Sequence, residues 1–295
     1  MHNLIRPAFA LAVVVILTAC SGSGAPGTPS GASPSAPAPD FGAIEHATGA
    51  TDIVLRFDQG GGFVGPSFTA SQAPIFTLYG DGTIVFRNPA LEWPAPDGSV
   101  TRQNPLRTAT LSEEQIQDLL AYALGEGNLG VARARYDNNM VADASTSTFT
   151  IDAGGVKKSV AVYALAEVID GVPDQAARAA FARLAARLGD FDEGGTIATD
   201  VYMPAAYRAV LMDGTGFVVP DVLTWPWKDI QPGDFVGPAD PNAFQMATRT
   251  LTPDEVAGLG VDGPEGGFQG MVVSGPGDGK LYSLTLRPLL PDETE

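Results

Sequence analysis

Ile75 to Arg87 reads IFTLYGDGTIVFR. Two runs of apolar and β-branched residues flank Gly80-Asp81-Gly82, and Asp-Gly is favoured where both turn residues need positive φ. The stretch therefore predicts an antiparallel hairpin. The same pattern holds on either side of it. Upstream, Ile53, Leu55 and Phe57 alternate with Val54, Arg56 and Asp58, a strand period that Gly60-Gly61-Gly62 breaks. Downstream, Thr148 to Ile151 and Ser159 to Tyr163 flank Gly154-Gly155, a second hairpin.

Helices fall between these strands. Ser112 followed by Gln115 forms a capping box, Ile116, Leu119, Leu120 and Ala123 share one face, and Gly125 and Gly127 end the run. Asp174 to Leu188 is the clearest helix, with apolar residues at Ala177, Ala180, Phe181, Leu184, Ala185 and Leu188 and Gly189 as stop signal. The second half adds a hairpin pattern over Tyr207 to Met212, Asp213-Gly214-Thr215 and Phe217 to Val219. Thr252-Pro253-Asp254-Glu255 is a further helix start, and Met271 to Val273 with Leu281 to Leu286 makes a last hairpin. Hairpins with a few helices give an α+β fold.

Three short motifs recur in order. Asp81-Gly82-Thr83 and Trp93-Pro94 return, at one shared offset, as Asp213-Gly214-Thr215 and Trp225-Pro226. Thr108-x-Thr110-Leu111-Ser112 returns at a slightly longer offset as Thr248-x-Thr250-Leu251-Thr252. The order suggests a duplicated α+β unit, with a first unit over 41–192 and a second over 193–295. Chance recurrence of turn and cap motifs is the alternative.

The stretch 1–40 has a different character. Arg6 precedes an uncharged apolar run from Ala8 to Leu17, and Leu17-Thr18-Ala19-Cys20 follows. This resembles the lipobox of bacterial lipoproteins. The resemblance implies a signal peptide over 1–19, cleavage before Cys20, acylation of that cysteine, and an extracytoplasmic protein anchored in the cell membrane by lipid. The apolar run is about half the ~20 residues that a spanning helix needs. Ser21 to Asp40 is Gly, Ser, Ala, Thr and Pro with no charge before Asp40, which predicts a disordered tether over 20–40.

Charge and cysteine bound the function. Acidic residues outnumber basic ones 34 to 17. Cleavage before Cys20 would remove Arg6 and leave 16 basic side chains, for a net charge of −18. Such a surface repels phosphate backbones, which argues against nucleic acid as a partner. Cys20 is the only cysteine, so the body has no internal disulfide, thiolate metal site or cysteine nucleophile.

Candidate chemistry is sparse. His46 is the only histidine beyond the leader, which leaves a Ser-His-Asp triad essentially without support and excludes a multi-histidine zinc site; it reads as a solvated residue at a domain edge. Asp190, Asp192 and Glu193 cluster after the long helix, where they fit either paired-carboxylate chemistry or a solvated helix end. Asp137, Asn139 and Asp143 offer oxygen ligands for calcium, without EF-hand spacing. Gly60-Gly61-Gly62 lacks the Lys-Ser/Thr of a phosphate loop. Trp93, Trp225 and Trp227 sit beside or near proline, either as a ligand platform or as core.

These readings converge on a non-catalytic protein that needs no cofactor and binds an envelope protein or a small ligand. A carboxylate-dependent hydrolase with a cleft between the two units is the alternative. A transporter's substrate-binding lipoprotein is a third option, but the βαβ alternation usual in that class is missing.

Overall fold

Strand β1 (Ile53–Gly60) shows how the sequence pattern becomes a sheet. Leu55 and Phe57 point into a core and Arg56 points the other way, as a period of two requires. The alternation fails at one place. The register shifts between Ile53 and Leu55, so Val54 joins Leu55 in the core while Ile53 packs on the opposite face. A bulge of this kind puts neighbouring residues on one side.

The computed structural model describes residues 42–295 except 88–97, 99, 168–170, 194–196, 215, 217–220, 238–245, 278, 294 and 295. The leader, Cys20, the tether, Trp93 and Phe217–Val219 lie outside the described residues. Ala43–Glu295 is one compact unit. The chain continues through α1 (Pro66–Ser71), β2 (Phe76–Tyr79), β3 (Thr83–Phe86), β4 (Thr101–Arg102), β5 (Arg107–Thr110), α2 (Glu113–Leu124) and β6 (Arg135–Tyr136). Next come β7 (Thr146–Ala153), β8 (Val156–Tyr163), α3 (Gln175–Gly189), β9 (Asp200–Val201), β10 (Tyr207–Asp213) and β11 (Leu223–Thr224). It ends with β12 (Ala247–Leu251), α4 (Pro253–Ala257), β13 (Phe268–Ser274), β14 (Leu281–Pro288) and a 3₁₀ turn at Pro291–Glu293.

The fold is α+β. One sheet has eight strands in the order β6-β8-β7-β1-β2-β3-β5-β9. The other has six, ordered β11-β13-β14-β10-β12 with β4 also paired to β13. Neighbours are antiparallel except β6–β8 and β11–β13. The expected hairpins at β2–β3, β7–β8 and β13–β14 form. In the β2–β3 turn only Gly82 has positive φ, at 86°, and its N–H bonds the Tyr79 carbonyl. The turn is therefore a three-residue loop closed by a left-handed glycine, unlike the two-residue turn that Asp-Gly suggests. The β7–β8 turn has two successive positive-φ residues, Gly154 and Gly155.

Helices α2 and α3 cover one face of the large sheet. Ile116, Leu119, Leu120 and Ala123 of α2 and Phe181, Leu184 and Leu188 of α3 meet Leu55, Phe57, Phe76, Leu78, Ile84, Phe86, Phe149 and Ile151. The capping box starts α2: Ser112 N–H donates to Gln115 Oε1 at 2.8 Å and Gln115 N–H to Ser112 Oγ at 3.4 Å. Ser112→Ala should cost about 1 kcal/mol, read as a lower urea midpoint with an unchanged slope.

The other face of the large sheet looks towards the small one. Tyr79, Val85 and Leu106 pack there with Leu290. On β14, Leu284 and Leu286 enter the second core, while Ser283, Thr285 and Arg287 are buried facing the opposite way. Helix α1 touches β10, β13 and β14. The chain also crosses between sheets: β4 precedes β5 in sequence yet pairs with β13, and β9, beyond residue 192, pairs with β5. A cut after residue 192 would part β9 from the large sheet and β4 from the small one.

The repeated motifs map unevenly. Thr-x-Thr-Leu-Ser/Thr is the same device twice, a strand running into a capped helix: β5 into α2 and β12 into α4. Asp81-Gly82 turns β2 into β3, whereas Asp213 ends β10, whose partners are β12 and β14. The hairpins are also joined differently, since β1 pairs with the first strand of β7–β8 and β10 with the second strand of β13–β14.

Candidate functional site

The capped helix α2 presents a second face, away from the sheet. Gln115 and Asp118 lie on it, about two turns and one turn before Tyr122. Helix α3 ends nearby at Gly189, and the chain leaves it through Asp190, Phe191, Asp192 and Glu193. Between the two opens a cleft of 270 Å³. Leu111, Leu119 and Phe191 make its apolar lining; Leu119 is fully buried, and Phe191 packs on Phe76 and Phe86 with ring centroids 4.9 and 5.7 Å apart. Gln115, Asp118, Arg187, Asp190, Glu193 and Ile197 form the exposed rim. The Arg187 guanidinium lies 4.3 Å from the centroid of the Tyr122 ring. Three carboxylates and one guanidinium give the cleft a formal charge of −2.

Of the Asp190, Asp192 and Glu193 cluster, Asp190 and Glu193 thus line a cleft, while Asp192 is buried at 4% exposure. Glu193 takes a left-handed backbone, φ 49°, which is uncommon for a residue with a side chain. Sequence could mark the acids but not the cleft, whose apolar side comes from Leu111 and Leu119, far away in the chain.

The space between the sheets holds a different group of charges. Arg56 on β1 donates from Nη2 to Asp292 Oδ1 at 2.6 Å, and Tyr79 on β2 donates its hydroxyl to the same oxygen at 2.5 Å. Arg287 on β14 grips Glu293 with both nitrogens, at 2.7 and 2.6 Å. Burial raises the Asp292 and Glu293 carboxyls, but hydrogen bonds from Arg56 and Tyr79, and from Arg287, overcome it, so both end below their ordinary values. Asp58, two residues from Arg56, goes up: burial dominates, and Glu293 and Asp292 add to it against Arg56. Burial likewise pushes the Tyr202 phenol up to about 12. Its hydroxyl donates to the Leu289 carbonyl at 2.9 Å. These carboxylates are held by guanidinium groups in a structural lock, not across an open cleft where a hydrolase would need them.

The remaining candidates fall elsewhere. Trp225 and Trp227 are core residues of the small sheet, 7% and 9% exposed, with Nε1 donating to the carbonyls of Ile230 at 2.7 Å and Glu255 at 2.8 Å. They form no surface platform, because apolar area this large is buried once α4 and β13 supply a cover. Asp137, Asn139 and Asp143 are exposed, and Asp137 pairs with Arg135 at 2.6 Å. Among the described residues no group of three His, Cys, Asp or Glu side chains is placed to hold a metal ion.

His46 is not solvated. Its ring is 6% exposed and lies 3.3 Å from Glu113 Oε1 and 2.6 Å from the Ala47 carbonyl. His46 itself forms an isolated antiparallel bridge to Ala153 at the end of β7. Gly61 and Gly62 take positive φ after β1, and a Cβ on Gly62 would stand 3.1 Å from the Asp143 carbonyl, so they serve a tight turn.

The class that fold and site define is a two-sheet α+β body with an acidic, apolar-floored cleft on its helical side. No family model, curated protein or solved structure matches the chain.

Proposed function

We propose that the protein is a lipid-anchored, extracytoplasmic binding module whose ligand site is the cleft between α2 and the exit of α3. The cleft carries this reading: it joins buried apolar lining to a charged rim, the usual make-up of a small-ligand site. The commitment of Asp292 and Glu293 to ion pairs weighs against the hydrolase alternative. Anchoring rests on Leu17-Thr18-Ala19-Cys20 and the uncharged stretch after it. No helix among the described residues is long and apolar enough to cross a membrane, so attachment in this reading depends on acyl chains at Cys20.

Expressed in a bacterium with lipoprotein processing, the wild-type chain should fractionate with membranes and incorporate labelled palmitate. Cys20→Ser should lose the label entirely and move to the soluble fraction. A Cys20→Ser protein that stays membrane-bound, or a wild-type product with an unmodified thiol by mass spectrometry, would sink the anchoring claim.

A further inference from the structure

We infer that Phe63, Val64 and Met140 form a tip that inserts into the acyl region of the bilayer to which the chain is anchored. This rests on the anchoring part of the reading above and adds a second, apolar contact to it. Phe63 is 93% exposed, Met140 56% and Val64 42%. Lone exposed apolar residues are ordinary, but these three stand at one end of the large sheet. Gly60, the last residue of β1, pairs with Thr146, the first of β7. Beyond that pair, the Phe63 N–H donates to the Asp143 carbonyl at 3.2 Å, so the loop after β1 lies against the loop that leads from Met140 into β7. Gln59 to Gly80 carries no charged side chain, the longest such stretch of the body in a chain of net charge −17. In the second loop Asp137 is paired with Arg135 at 2.6 Å, which leaves Asp143 as its net charge. An acidic body can therefore meet a lipid surface here with little of its charge brought along.

The length of the tether favours the bilayer over other apolar partners. The chain enters the body at the opposite end of β7, where His46 bridges Ala153 and the Gly154 N–H donates to the Glu45 carbonyl at 2.7 Å. The strand between puts that entry roughly 24 Å from the tip. A Gly/Ser-type coil from Cys20 to Ala43 has a root-mean-square reach of roughly 25 Å, which its prolines lengthen. Tethered binding is strongest where reach matches span. Acyl chains at Cys20 would thus hold the tip at the bilayer at an effective concentration in about the millimolar range. A contact too weak to form unaided forms under that condition.

The test uses residues 20–295, with the only cysteine, Cys20, joined through its sulfur to a maleimide-bearing phospholipid. The lipid sits in phosphatidylcholine nanodiscs, some of whose headgroups carry a nitroxide. This supplies the anchor whether or not a cell acylates Cys20, so failure here is separate from failure of the palmitate experiment. Methyl NMR reads which end of the sheet meets the lipid. The Val64 and Met140 methyls should lose most of their intensity, and those of Ile44, beside Gly154 at the other end, should keep theirs. Phe63→Ser, at a position 93% exposed, should reduce the loss at Val64 and Met140 at least about five-fold without moving the unfolding midpoint. Stronger broadening of Ile44 than of Met140, or equal broadening in Phe63→Ser and the wild type, would overturn the proposal. Sharp signals at both ends would do the same and leave the tip to a protein partner.

Discussion

Glu293→Ala is expected to lower the stability of the body by about 3 kcal/mol, measured by urea unfolding of the Ala43–Glu295 unit. Arg287 is 4% exposed and would be left as a buried charge without its bidentate partner. Breaking such a pair costs roughly 3–5 kcal/mol, and the lower end applies because a fifth of the Glu293 side chain meets solvent. The loss is larger than the pair's own worth. Replacing both partners, Arg287→Met with Glu293→Leu, should recover most of the stability, since apolar residues of similar volume need no compensation there. The Lys157–Asp152 pair is the internal control. It is equally short at 2.6 Å, but its side chains are 82% and 43% exposed, so Lys157→Met should change stability by less than about 0.5 kcal/mol. A Glu293→Ala loss no larger than that of Lys157→Met would show that the turn at Pro291–Glu293 does not lock the sheets.

The same lock sets the response to acid. Asp292 and Glu293 have folded pKa values below their ordinary 3.8 and 4.5. The stability they contribute is complete above those ordinary values and is lost as pH falls through the depressed ones. Asp58 has the opposite sign: its folded pKa is raised above 3.8, so its protonation on acidification favours the folded state. Stability should therefore hold down to about pH 5 and fall below about pH 4. Asp58→Asn should raise the stability at pH 7 and steepen the acid loss.

What the sequence disclosed was local. Ser112 and Gln115 cap a helix within a single turn, and Gly154-Gly155 turns a hairpin by itself, so short-range sterics and hydrogen bonding were enough to see them. The bulge at Ile53–Leu55 was hidden because alternation alone does not say where a register slips. The sheet lock was hidden for a different reason. Pro291-Asp292-Glu293 looks like a solvated tail, and its partners Arg56 and Tyr79 lie 236 and 213 residues away. Arg178 was hidden within a helical period. It is 7% exposed on α3 and donates to the carbonyls of Pro173, Tyr163, Tyr136 and Asp137, a role that no spacing rule records. The cleft was half legible, its acids visible as a cluster and its apolar bed assembled only by tertiary packing.

Trp225→Ala should cost about 3–5 kcal/mol, the range for removing a large aromatic side chain from a core. Its ring centroid lies 5.3 Å from that of Trp227, 6.3 Å from Phe235 and 6.0 Å from Tyr282, so truncation leaves a void bordered by three rings. It also strips the Ile230 carbonyl of a 2.7 Å hydrogen bond inside the core. Trp225→Phe separates the two contributions. It keeps most of the apolar volume and loses the indole N–H, which should cost about 1–2 kcal/mol. A surface ligand platform predicts something else: truncation there would stay within about 0.5 kcal/mol and act on binding instead. Differential scanning calorimetry of both variants distinguishes the cases. An unfolding temperature of Trp225→Ala within about 1 °C of wild type would return the tryptophans to the surface. A loss of several degrees places them in the second core.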